Sequence, residues 1–354
     1  MNMTLRYFKQ HSRSTLIRFA IIAFICLVAT TLLTQGIVQD YHSNKEFENR
    51  NDVYYYYEDY QWYVYPSLGF HVFILTILCT GLPMVEMSSF NSRKYLDSAF
   101  SFPISRVSML SVNLINGYLQ FLLAYTISFV WYAIRLAPCA DKLNFAPIWG
   151  FFFLSLLYSL FIYSLNAFFF SLCNSTVDGA ITAIAWQHIL CPVMLTLVEM
   201  FNISSTRYSI NTILRCGIIW YPIGEISEIY GDLASGRPYL TENDFKPIPI
   251  IMIVATVLAI LFAAGTLFFF NRKRTESAGE ISTSIVSYKL LIPVCAAMLI
   301  YWAMEASAPI ISLFALIFAT VAYIIYRRSV RLQFSDIAVI AICFATFLIG
   351  MMAV

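Results

Sequence analysis

Charge is scarce in this chain: Asp, Glu, Lys and Arg make up only 12% of its 354 residues, while 60% are hydrophobic. So few polar groups cannot cover that much apolar surface in water, which excludes a soluble globule. The net charge of +2 provides no basic field for a nucleic acid, so no nucleic-acid partner is expected. Several chemical motifs are missing too. There is no GxxxxGK[ST] phosphate loop, so the chain is not expected to bind and hydrolyse ATP in P-loop fashion; there is no HExxH zinc pair and no GxSxG nucleophile elbow. The eight cysteines never form a CxxC pair, and Cys26, Cys79, Cys173, Cys191, Cys295 and Cys343 fall inside apolar runs as small hydrophobes. Neither a metal site nor a catalytic residue is expected. Cys139 and Cys216 both fall in segments placed outside the membrane, and whether they pair is left open, with the free thiols favoured.

What the chain has instead is long apolar runs. A membrane-crossing helix needs about 20 mainly apolar residues, and such runs lie near 15–38, 66–89, 108–136, 148–172, 179–201, 249–270, 286–304, 309–326 and 337–354. The first is too long for a signal peptide and lacks a small-residue cleavage site, so it is read as a span. If every run crosses once, four basic clusters share one side: Arg6, Lys9 and Arg13; Arg93, Lys94 and Arg106; Arg272, Lys273 and Arg274; Arg327, Arg328 and Arg331. By the positive-inside rule that side is the cytoplasm, the N-terminus is inside and the C-terminus outside. The connection between the first two runs is acidic, with Asp40, Glu46, Glu48, Asp52, Glu58 and Asp59 against Lys45 and Arg50.

One polar stretch, "NSRKYLDSAFSFPISR" at 91–106, interrupts this pattern on the inner side. Tyr95, Leu96, Ala99 and Phe100 recur at helical spacing among Arg93, Lys94, Asp97 and Ser98, which predicts a short amphipathic surface helix over 91–102. Ser101 and Pro103 suit the start of the next helix, as cap and first turn, and Arg106 is expected at headgroup level. Glu86 ends the second run, where an acid is costly unless it is paired or reaches the interface. Arg93, Lys94 and Arg106 are its expected partners if its role is structural.

An acid ending span two, a surface helix, and Phe102-Pro103-Ile104-Ser105-Arg106 opening span three resemble the permease subunits of ABC transporters of the type 2 exporter class. "RKRTESAG" at 272–279 is similar to an Arg-x-Ser-Glu-x-Ala-Gly element of larger, Gram-positive members, with Thr275 in the Ser position. The resemblance covers roughly residues 1 to 290. It implies an all-α polytopic fold with a six-helix core over 1–280. The surface helix becomes a coupling helix that docks on a separate ATPase subunit through Glu86, Arg93, Lys94, Tyr95, Leu96, Asp97, Phe100, Pro103 and Arg106. ATP and Mg would bind in that partner, and a second permease chain, like or related, would complete the assembly. The long connection from Asn202 to Pro249 contains "CGIIWYPIGEISEIYGDLASG", too apolar for a solvated loop and broken by Pro222 and Gly224. It fits the family's half-inserted extracellular helices, expected here over 205–240. Three additional runs at 281–354 depart from the six-helix pattern, and a shortened member, a fragment or part of a second chain would each account for them.

Other signals have plainer readings. Gln187 and His188 form a polar pair at mid-membrane that could line a substrate path, with inter-helix hydrogen bonding favoured. The tyrosines from Tyr54 to Tyr65 suit an interfacial belt rather than substrate contacts. Glu225 and Glu228 share a helical face that is read as solvated. Asn174 and Asn202 begin glycosylation-like triplets of no assigned role. The Arg272 to Arg274 run suits lipid headgroups. The expectation is thus a multi-pass permease of a bacterial cytoplasmic membrane that exports a lipid, peptide or hydrophobic antibiotic-like compound and has no cofactor of its own. The alternative is a non-transporting polytopic sensor or membrane-embedded enzyme.

Overall fold

The computed structural model describes residues 3–49, 63–95, 104–200, 221–236, 242–273, 279–280, 284–305, 309–327, 329 and 331–353, and among them there is no strand. Each of the nine expected apolar runs is helical over most of its described residues. Five helices are long and apolar enough to cross a membrane, as a multi-pass membrane protein requires.

A short amphipathic helix, α1 (Met3–Ser14), leads through Thr15 into α2 (Leu16–Asn49). The backbone ladder runs on across the joint, with Thr15 N bonded to His11 O and Phe19 N to Thr15 O. Then come α3 (Gly69–Ser88), ended by a 3-10 turn at Ser89–Asn91, and α4 (Arg106–Leu136). The α4 helix starts at Arg106 and not at the expected Ser101–Pro103. Ser105 is extended, and its Oγ accepts from Ser108 N at 3.1 Å, so the later serine is the cap. Asn144 caps α5 (Phe145–Ser171) through Ala146 N. The remaining helices are α6 (Thr176–Met200), α7 (Tyr221–Ala234), α8 (Glu242–Phe245), α9 (Pro247–Arg272), α10 (Leu290–Glu305, after a π turn at Ile285–Lys289), α11 (Pro309–Arg327) and α12 (Phe334–Ala353).

Helix α5 is the hub on which α3, α6, α7 and α9 pack, and α4 joins α2 and α3 to the bundle. Close approach of α5 and α9 needs Gly265, where a Cβ would come within 2.7 Å of the Phe168 ring. The main core holds Tyr125, Phe129, Tyr132, Phe151, Tyr158 and Phe161, large aromatic bodies that fill space between helices. On its outward face α2 leaves Ile17, Phe24, Ile25 and Leu32 exposed. In water such a face would be untenable; against lipid it is the expected surface. The re-entrant expectation over 205–240 is described only across α7, which lies against α3 and α5. Its end is tied to the α4–α5 connection by Asn144 N bonded to Ala234 O at 2.8 Å. Gly236, at φ +71°, stops the helix in the left-handed conformation that glycine tolerates.

The three C-terminal helices form a separate cluster around Tyr288, Ile292, Ala296, Ala319, Tyr323 and Cys343. An ion pair of 3.0 Å from Arg327 to Asp336 closes the turn between α11 and α12. This unit meets the rest of the bundle along α6: Trp186 Nε1 donates to Val286 O at 2.9 Å, and Tyr288 Oη donates to Asp178 Oδ1 at 2.7 Å.

Candidate functional site

Glu86 is placed by the last turn of α3, and its side chain is only 1% exposed. A bare carboxylate there would be prohibitively costly, so its partners define the site. They are not Arg93, Lys94 or Arg106, as the sequence suggests. The Arg18 guanidinium donates to Oε1, His11 Nε2 lies 2.8 Å from Oε2, and Asn116 Nδ2 donates to Oε1 at 3.2 Å. The other cations are turned elsewhere: Arg93 pairs with Glu280 at 3.0 Å, and Arg106 Nη1 donates to Lys273 O at 3.2 Å.

The network extends along one face of α4. Asn113, Asn116 and Gln120 are buried at spacings of three and four residues, which places them on one stripe. Gln120 donates to Thr15 Oγ1 at 2.9 Å and accepts from Arg18 Nε at 3.1 Å. Tyr7 Oη donates to Asn113 Oδ1 at 3.2 Å and lies 3.4 Å from Tyr95 Oη. Burial and the neighbouring Tyr95 hydroxyl push the Tyr7 phenol above its ordinary range, which keeps it a proton donor. Gly117 makes room for the carboxylate, since a Cβ there would lie 2.7 Å from Glu86 Cγ and 2.6 Å from Tyr163 Oη. The result is a polar junction joining α1, the start of α2, the end of α3, the first half of α4 and, through Tyr95, the charged segment after α3.

A second seam binds that segment to the exit of α9. Lys273 Nζ donates to Asn91 Oδ1 at 2.7 Å and to Cys173 O at 2.6 Å, and Gly279 N bonds to Asn174 O at 2.7 Å. Burial pulls the Lys273 ammonium down to about 8. Either protonation state keeps the two N–H donors that the seam uses. An apolar cluster of Met87, Phe90, Met109, Leu110, Phe170 and Phe270 packs beside it, with Tyr7 and Tyr95 at its edge.

Of the residues singled out by the sequence, Glu86, Tyr95, Arg93 and Arg106 converge on these two seams. Lys94 is exposed. Leu96, Asp97, Phe100 and Pro103 lie outside the described residues, as does Cys216, the suggested partner of Cys139. Gln187 and His188 are parted by the turn of the helix. Gln187 is buried and donates to Thr80 Oγ1 at 2.9 Å and to Asn166 Oδ1, whereas His188 is on the exposed side of α6. Asn166 Nδ2 in turn approaches Cys79 O at 3.4 Å, the carbonyl that Pro83 leaves without its helical donor. Glu225 is half-buried and Glu228 exposed. On the opposite end of the bundle Tyr41 Oη donates to Asp141 Oδ1 at 2.7 Å, and Lys45 Nζ reaches Asp141 Oδ2 at 3.0 Å. These two donors hold the Asp141 carboxyl below the usual range.

The sequence reading missed His11, Thr15, Arg18, Asn113, Asn116 and Gln120. Their signal was available as three amides at helical spacing inside an apolar run and a lone arginine near the start of another. No protein-family model, no curated protein and no solved structure matches the chain.

Proposed function

We propose that this chain is the membrane-spanning permease subunit of an ATP-driven transporter of the type 2 exporter class. It would reside in a bacterial cytoplasmic membrane, pair with a second permease chain and take its energy from separate ATPase subunits that hold ATP and Mg. The cargo class is a lipid, a peptide or a hydrophobic antibiotic-like compound. The observation that carries the reading is the anchoring of the charged segment after α3. Tyr95 is tied through Tyr7 and Asn113 to the Glu86 junction, and Arg93 and Asn91 are tied to the stretch after α9. A push on that segment would be carried by packed, hydrogen-bonded groups into α1, α2 and α4, which is what a docking element must do. Closure of the ATPase dimer would drive the segment from Arg93 to Phe100, tilt α4 through the stretch that contains Pro103, and alternate access of a cavity lined by spans one, two and five.

The test is affinity purification of the tagged chain from its native membrane in mild detergent, with mass spectrometry of what accompanies it. A stoichiometric P-loop ATPase that is lost in R93E, K94E and D97K variants is the expected result. Repeated absence of an ATPase from intact, monodisperse protein overturns the reading.

A further inference from the structure

Helix α1 has two opposite faces with different occupants. At 100° per residue, Tyr7 and His11 point together toward Asn113 and Glu86, and Thr4, Phe8 and Ser12 flank them on the covered side. Arg6, Lys9 and Arg13 fall within an arc of about 60°, centred opposite His11. All three are exposed, and no acid occurs anywhere in the helix. Among the described residues none of the three enters an ion pair.

The next residues identify what faces this stripe. The ladder continues through Thr15 into α2, where Leu16, Ile17, Ile21 and Phe24 are exposed. The exposed face of the first span and the basic stripe therefore run on along one side of one continuous ladder. Hydrocarbon must cover the first, so the headgroup layer is at the level of the second. We propose that Arg6, Lys9 and Arg13 form a binding surface for anionic lipid headgroups of the inner leaflet, and that their occupancy seats the opposite face of α1 on Glu86 and Asn113. An acidic protein surface would carry the same charge. It would have to reach a stripe flush with the lipid-facing side of α2, so the bilayer is the occupant the geometry favours. The bound lipid acts on the junction because a helix held from both faces cannot leave one without straining the other; by linkage, whatever unseats α1 weakens the lipid contact equally.

The experiment compares hydrogen exchange of residues 3–14 in nanodiscs of phosphatidylcholine alone and of phosphatidylcholine with phosphatidylglycerol. Each cation near an anionic surface is worth about a fivefold preference, so exchange is expected to slow at least tenfold in the anionic discs. The R6Q/K9Q/R13Q variant should erase the difference, and R6K/K9R/R13K should keep it. Should the neutral variant fail to fold, the wild type still decides, since raising salt must collapse the difference between the two lipids. Equal exchange in both lipids, or a lipid effect that survives the neutral variant or high salt, overturns the proposal. So does a neutral variant that keeps the lipid effect and instead loses a co-purifying acidic protein.

Discussion

Replacing Arg18 by Met tests how the buried charge at the junction is held. The Glu86 carboxylate is 1% exposed and the Arg18 side chain 28%, so the arginine is the half of the pair with access to water. Removing it leaves the carboxylate with His11 Nε2 at 2.8 Å and Asn116 Nδ2 at 3.2 Å. Breaking a buried pair by deleting one partner costs about 3 to 5 kcal/mol. The remaining donors and the exposure of Arg18 place R18M toward the bottom of that range, at about 3 kcal/mol. The double variant E86L/R18M removes both charges. Asn116 then still reaches Thr15 Oγ1 at 3.1 Å, and His11, 19% exposed, can turn to water. A charge pair replaced by apolar groups of similar volume is often neutral, so the double variant is expected to regain at least half of what R18M loses. Unfolding in mixed micelles titrated with sodium dodecyl sulfate, followed by intrinsic fluorescence, reads both numbers. The reasoning is refuted if R18M matches the wild type, or if E86L/R18M is no more stable than R18M.

Three other outcomes follow from the same geometry. Gly117→Ala should lose about 2 kcal/mol in the same titration, because its Cβ would meet Glu86 Cγ at 2.7 Å; Gly81→Ala, with nothing within 4 Å, is the near-neutral control. Lys273 introduces a pH dependence whose sign comes from proton counting. Its folded value of about 8 lies below the ordinary 10.5, so between those values the unfolded chain holds a proton that the folded chain has released. Stability should therefore rise with pH across that window, by about 3 kcal/mol at most, and Lys273→Met should flatten that rise in unfolding measured from pH 7.5 to 10.5. Asn166→Leu strips Gln187 of one acceptor and Cys79 O of its side-chain donor; a loss of about 1 kcal/mol, with Gln187→Leu adding little on top, is the outcome expected in a double-mutant cycle.

The helices were legible because a bilayer imposes length and apolarity on each crossing, and both can be read along the chain. Glu86 was legible for the same reason, as an acid at the end of an apolar run. Its partners were not: Arg18 and His11 are 68 and 75 positions away, and periodicity orders residues within a helix without saying which helix lies opposite. The cations nearest in sequence were the natural candidates, but Arg93 is taken up by Glu280 and Arg106 by Lys273 O. The start of α4 lies later than the sequence suggests because Ser105 has the extended backbone that turns its oxygen toward the free N–H of Ser108. Gln187 and His188 show the limit of adjacency. Neighbours in a helix diverge by about 100°, so a polar pair in the sequence becomes one buried and one exposed group in the bundle.

Helix α2 runs unbroken for 34 residues, a rod of about 50 Å that starts just after Thr15, where the hydrocarbon layer accounts for only about 30 Å. Its far end would project beyond the bilayer as a long arm: a swing of 10° at the base would carry the tip by about 9 Å, from the rise per residue alone. The tether from Tyr41 and Lys45 to Asp141 resists that sweep. Any tilt started at the Glu86 end must therefore either break this tether or drag the C-terminal end of α4 along, so the two rods would move as a coupled pair, with a displacement on the basic side reappearing enlarged on the acidic one.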